Sequence, residues 1–132
     1  MTGMTNTERA LKFFGSWGSE DTWVDGFTEF FTESTEWINH GVSTTIGRQA
    51  AIDAQYEFQK ILGFRTVEVD IICIAEDEHG NVLSERVDRY PGSNGLESMI
   101  VMGTMEFDDQ GRITKWRDYF DSAEVLKLVN GA

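Results

Sequence analysis

Cysteine is nearly absent from this chain. Cys73 is the only one in 132 residues, so no intrachain disulfide can form. Its setting, "DIICIA", predicts an inert thiol in the core. Histidine is scarce too. His40 and His79 are the only two, and His79 sits beside Gly80 in a turn, so a metal centre would lack its usual imidazoles. A Ser–His–Asp triad would have to use His40, and no nucleophile elbow is in sight. Basic residues are few: 11 Lys and Arg stand against 23 Asp and Glu, a formal charge of −12. Nucleic acids and anionic membranes need basic patches and are therefore excluded as expected partners. No apolar run approaches the ~20 residues of a membrane span. The opening "MTGMTNTERALKFF" has no continuous apolar core of the signal-peptide kind, so a reducing cytoplasm is the expected compartment. "GSWGSE" lacks the lysine of a P-loop, and no dinucleotide fingerprint appears, so neither a metal nor an organic cofactor is expected.

What is present reads as one domain over residues 1–132. "TNTERALKFFGSW" opens with a capping box from Thr5 to Glu8 and carries Ala10, Leu11, Phe14 and Trp17 at helical spacing. "SEDTWVDGFTEFF" predicts a second helix capped at Ser19, with a stripe of Trp23, Phe27, Phe30 and Phe31 and a weak point at Gly26. "TEWIN" reads as a short strand. "GRQAAIDAQYEFQKILG" is a third helix, with Ala51, Ala54, Phe58, Ile61 and Leu62 on one side. After Gly63 the pattern changes to strands. "RTVEVDIICIA" sets Val67, Val69, Ile71 and Cys73 against Glu68 and Asp70. "VLSERVDRY", "LESMIVMGTMEF" and "ITKWRDYF" follow, separated by the turns "EDEHGN", "YPGSNG" and "FDDQGR", and "SAEVLKLV" is a closing helix. Helices first and a meander afterwards give an α+β fold, with helices packed over one face of a curved sheet.

Alternation puts Arg86, Asp88 and Tyr90 on one face of "VLSERVDRY", and Trp116, Asp118 and Phe120 on one face of "ITKWRDYF". If Tyr90 pairs with Glu97 and Phe107 with Arg112, Asp88 lies opposite Met99. Arg86 and Asp118 then both lie opposite Val101, from either side. One guanidinium could bridge two carboxylates in an apolar cavity. Their pKa values would be pushed apart, leaving one an acid and the other a base. An ion-pair network with a purely structural role has the same spacing.

"SERVDRY", "KWRDYFD" and "EWINHG" together resemble the limonene-1,2-epoxide hydrolase family, within the NTF2-like (SnoaL-like) superfamily of cone-shaped folds. The likeness in order and spacing covers nearly the whole chain. It implies that Arg86, Asp88 and Asp118 are the catalytic Asp–Arg–Asp triad. Asn39 matches the family's water-holding asparagine, and Trp37 stands where the family has a tyrosine. A pocket wall of Phe14, Trp17, Met99, Val101 and Val125 is likewise implied, as is a homodimer joined through the outer sheet face. The activity implied is cofactor-independent hydrolysis of a small lipophilic epoxide, terpene- or sterol-like. Two other functions fit the same fold: a SnoaL-like isomerase or cyclase acting on a polycyclic ketone, and a non-catalytic binder of small molecules. The tyrosines are Tyr56, Tyr90 and Tyr119, with none in the first two helices, which disfavours a ketosteroid-isomerase oxyanion hole. Trp37 favours the binder.

Overall fold

A computed structural model describes residues 3–131; Met1, Thr2 and Ala132, the ends of the expected domain, lie outside the described residues. The chain runs α1 (Asn6–Gly15), a 3₁₀ turn (Ser16–Gly18), α2 (Trp23–Phe30), β1 (Phe31–Asn39), β2 (Ser43–Ile46) and α3 (Arg48–Leu62). Then come β3 (Glu68–Glu76), β4 (Val82–Arg89), β5 (Ser98–Phe107), β6 (Ile113–Tyr119) and α4 (Ser122–Gly131). The six strands form one curved, unclosed sheet in the order β2-β1-β6-β5-β4-β3. All neighbours are antiparallel except β1 and β6, which run parallel. This is the NTF2-like α+β architecture.

The helices begin and end where local chemistry requires. Thr5 accepts from the Glu8 amide and Glu8 accepts from the Thr5 amide, the reciprocal cap expected for α1. Its buried stripe is Ala10, Phe13, Phe14 and then Trp17; Leu11, expected inside, is 40% exposed and Phe13 takes its place. α2 starts at Trp23, later than the Ser19 cap predicted. The Ser19 hydroxyl instead accepts from the Asp21 amide in the preceding turn. Gly26, whatever it costs in helix propensity, has a packing reason. A Cβ there would collide with the Ser16 hydroxyl and come within 2.8 Å of its Cβ, so glycine is what lets α2 pack against the end of α1. Phe31 leaves the helix and opens β1, which is nine residues long rather than the short "TEWIN". β2, too short and too polar to show in the sequence, pairs with its end.

Phe13 sits at the centre of the core. Its ring meets those of Trp17, Phe27 and Trp116 edge-on at 5.2–5.3 Å, tying both first helices to β6. Each fully buried aromatic of this kind contributes about 1.5–3 kcal/mol from apolar burial.

Two β-bulges change the expected sheet. One falls between Ile71 and Cys73 in β3. It turns the inward positions from Val67, Val69 and Ile71 to Ile74, so Cys73 is exposed rather than buried in the core. The other lies between Glu106 and Phe107 and shifts β6 against β5, with direct consequences for the site.

Candidate active site

β4 alternates strictly: Val82, Ser84, Arg86 and Asp88 are buried while Leu83 and Arg89 are exposed. Arg86 faces Val101 and Asp88 faces Met99, as the hairpin register predicts. Asp118 does not face Val101. Phe107 pairs with Ile113 and not with Arg112, a slip of one residue, and the bulge adds a second, so that Asp118 pairs with Gly103. The shared face survives because a two-residue shift preserves alternation. Gly103 therefore lies between Arg86 and Asp118. With no side chain, it leaves open the gap that the guanidinium crosses. A Cβ at Gly103 would overlap Asp118 Oδ1 and stand 3.2 Å from Arg86 Nη1.

Across that gap Arg86 holds both carboxylates. Nε and Nη2 donate to Asp88 Oδ1 and Oδ2 at 2.9 and 3.1 Å. Nη1 and Nη2 donate to Asp118 Oδ1 and Oδ2 at 2.9 and 2.6 Å. Trp116, two residues before Asp118 on the same face, adds an indole N–H to Asp118 Oδ1 at 2.8 Å. Asp118 thus accepts three hydrogen bonds and Asp88 two. Arg86, Asp88 and Asp118 are 1%, 3% and 4% exposed, so the cluster is almost dry. Phe14 lies against the guanidinium at 4.7 Å, a cation–π floor beneath it.

Burial pushes the Asp88 carboxyl above its ordinary value. Arg86 opposes that shift, and the charge of Asp118 adds to it. For Arg86, burial alone would lower the pKa, but the charges of Asp118 and Asp88 outweigh it and raise the value further, so the guanidinium is permanently charged. Two anions and one cation would leave a buried excess negative charge. One proton on Asp88 removes it.

The cluster forms one wall of a pocket lined mostly by apolar side chains, the usual composition of small-molecule sites. Trp17, Met99, Val101 and Val125 line it as expected. Phe14 does not: it is spent beneath Arg86 and does not reach the lining. Asn39 and Trp37 also line the pocket. Asn39 is the parallel register partner of Asp118, which sets its amide at the same end of the sheet; that amide is 3.4 Å from the Ser43 hydroxyl. Trp37 stacks flat on Trp116 with ring centres 4.8 Å apart. Its indole nitrogen is buried and meets no acceptor among the described residues.

Sequence reasoning missed three contributors. Gly103 looked like an ordinary strand residue because the bulge was not legible. The Trp116 N–H could have been inferred from its i, i+2 relation to Asp118. Tyr90 was placed on the right face but given no role, and it lines the pocket with its ring against Phe64. Among the described residues no group of three His, Cys, Asp or Glu is arranged to hold a metal ion.

The model of the limonene-1,2-epoxide hydrolase catalytic domain matches residues 21–130. The chain belongs to that family. Among solved structures it is similar to an LEH-like epoxide hydrolase of M. tuberculosis, at 28% identity and a TM-score of 0.72, covering 96% of this chain and 90% of that one. It also resembles a SnoaL-like protein of Jannaschia sp. CCS1 assigned as a polyketide cyclase (20% identity, TM-score 0.76, 96% and 92% covered). Bal32a, from a soil-derived mobile gene cassette, is a third (18% identity, TM-score 0.73, 88% of each chain). The last two likenesses speak for the fold alone. Every limonene-1,2-epoxide hydrolase segment read from the sequence falls within the matched residues, so the family and the Asp–Arg–Asp cluster rest on the same stretch of chain.

Proposed function

We propose that this protein adds water to a lipophilic, terpene- or sterol-like epoxide in a single acid–base step, giving a trans diol. The observation that carries the reading is the buried Arg86 holding Asp88 and Asp118 at one pocket wall in unequal environments. Asp88, pushed toward its protonated form by burial, is the acid that gives a proton to the epoxide oxygen. Asp118 is the base. Its Oδ1 already accepts from Arg86 and Trp116, while Oδ2 accepts from Arg86 alone, so Oδ2 is the atom with room to take a proton from water. Asn39, register partner of Asp118, is the second group in reach to hold that water.

In the step itself, water oxygen bonds to a ring carbon as the opposite C–O bond breaks. The water proton passes to Asp118, and the Asp88 proton goes to the departing oxygen. Both carboxyl groups have then exchanged states and are reset through the cluster and solvent. Arg86 stays charged throughout, keeping the two carboxyls in fixed relation. No carboxylate bonds to substrate, which separates this route from nucleophilic catalysis. The aromatic and aliphatic lining suits an apolar substrate body. Within the same proposal the working unit is a homodimer joined through the outer sheet face, where Ile100 and Met102 are 66% and 56% exposed.

The test is diol formation from a small epoxide panel, with Asp88→Asn and Asp118→Asn alongside and a single turnover in ¹⁸O-labelled water. Each variant should lose about 10²–10⁴-fold in kcat, the usual contribution of general acid or base, and heavy oxygen should enter the diol in the first turnover. Undiminished turnover in Asp88→Asn would make the cluster structural and give the lead to a small-molecule binder. First-turnover oxygen derived from an enzyme carboxylate would make Asp118 a nucleophile instead of a base.

A further inference from the structure

Tyr90 is a polar side chain in a pocket whose lining, apart from the charged cluster, Asn39 and Gln55, is apolar, with Trp17, Phe58, Leu62 and Val101 among it. It continues the inward face of β4 two residues past Asp88, about 6.6 Å further along the strand. Its backbone amide donates to Glu97 O at 2.9 Å, and its ring packs edge-on against Phe64 at 5.0 Å, so the side chain is held from both ends. The phenol oxygen makes no hydrogen bond to any described residue, although every charged group of the cluster beside it is fully paired. The fold therefore makes no use of the hydroxyl.

Its chemistry limits what it can meet. Burial, and then the charge of Asp88, raise the phenol's pKa well above the ordinary value, so it stays neutral. A neutral phenol can donate and accept. Arg86 is already taken up by two carboxyl groups and leaves no free cation for an anionic partner. A wholly hydrocarbon substrate would cover the hydroxyl and leave it unpaired, the situation that makes a polar site reject a substrate lacking the matching group.

We propose that Tyr90 is a substrate-contacting specificity residue whose phenol hydrogen bonds a neutral hydroxyl or carbonyl oxygen on the substrate, so that the site prefers epoxides carrying a second oxygen function to purely hydrocarbon ones. This rests on the epoxide-hydrolase reading and narrows its substrate class.

The experiment compares cyclohexene oxide with the same epoxide bearing one ring hydroxyl, in the wild type and in Tyr90→Phe. The wild type should favour the hydroxylated epoxide at least tenfold in kcat/KM. Tyr90→Phe should bring the ratio near one, kcat/KM falling for the hydroxylated epoxide and rising for the hydrocarbon one, which no longer covers an unpaired hydroxyl. A purely structural role would lower both rates together. A ratio unchanged by the substitution, or a wild type without preference, overturns the proposal. Should the wild type open neither epoxide, the epoxide reading fails and binding decides Tyr90 by itself. Trp17, Trp37 and Trp116 line the pocket, so their fluorescence reports occupancy. Binding of 4-tert-butylcyclohexanol should weaken about tenfold in Tyr90→Phe, and equal binding overturns the proposal. Tyr90→Leu replaces Tyr90→Phe in either arm if the latter does not fold.

Discussion

Replacing Gly103 by alanine adds one methyl group, and its effect should be opposite in sign to the usual one. In a strand, Gly→Ala ordinarily stabilises by about 0.5–1 kcal/mol, because the unfolded glycine chain has more freedom to lose. At Gly103 the new Cβ would overlap Asp118 Oδ1, stand 2.9 Å from the backbone oxygen of Arg117, and stand 3.2 Å from Arg86 Nη1. Real Cβ atoms essentially never approach a heavy atom within 3.0 Å. Arg117 O belongs to the sheet backbone and cannot yield cheaply, so Asp118 must swing away. Oδ1 is the atom that receives both Arg86 Nη1 and Trp116 Nε1, so the movement breaks two hydrogen bonds at once. Overpacking costs about 1–3 kcal/mol, and wholly unpairing a buried charge costs about 3–5 kcal/mol. Asp118 keeps its Nη2 contact, so a net loss of about 2–4 kcal/mol is expected, between those limits. For a chain of this size that lowers the melting temperature by about 8–16 °C. A base displaced by an ångström costs on the order of 10²-fold in turnover. Thermal melting and diol formation are measured side by side, with Gly15→Ala as control, since a Cβ there meets nothing within 4 Å. The reasoning fails if Gly103→Ala melts at or above the wild type and keeps its turnover.

Asp88 binds its proton more tightly in the folded chain than in the unfolded one, where its pKa is about 3.9. Its contribution to stability is therefore complete below that value and is lost as pH rises through the raised folded value. The melting temperature of the wild type should fall relative to Asp88→Asn as pH is raised, and parallel curves would show that Asp88 is not perturbed. Turnover of the wild type should fall in the same window, since the acid must carry its proton. Trp37→Tyr introduces a phenol that can accept as well as donate, and under the proposed water-holding role for this position it should keep or raise turnover. A loss beyond 10²-fold would show that the indole stacked on Trp116 is itself required.

The sheet and helix content was legible because the helices follow a 3.6-residue stripe and β4 alternates cleanly. The capping box at Thr5 and the glycine end of α3, where Gly63 takes φ +81°, are local devices that a sequence displays directly. The failures share a different cause. "DIICIA" is apolar on both faces, so alternation could not place the bulge that exposes Cys73. Nothing in "EFDDQGR" shows that the β5–β6 hairpin gains an extra residue beside its turn. Phe31 looked helical because an aromatic that ends one stripe and one that opens a strand are the same residue read against different neighbours. Each of these three misses concerns where a strand begins or slips by one residue, which long-range pairing decides and local spacing does not.

The site tolerated these errors for a physical reason. A shift of two residues along β6 keeps Asp118 on the inward face, so its contact with Arg86 was recoverable although its opposite partner was wrong. What the shift changed was the path between the charges. With Val101 between them, Arg86 would have had to pass a branched side chain; with Gly103 it passes none and can reach both carboxylates. Within β6 itself Trp116 donates to Asp118, while Asp88 has only Arg86, and in the proposed mechanism this difference in donors, together with burial, sets the acid apart from the base. The bridged pair therefore depends on the slip of β6 and on one glycine as much as on the three charged residues, which is why Gly103→Ala tests the proposed mechanism with all three charged residues kept.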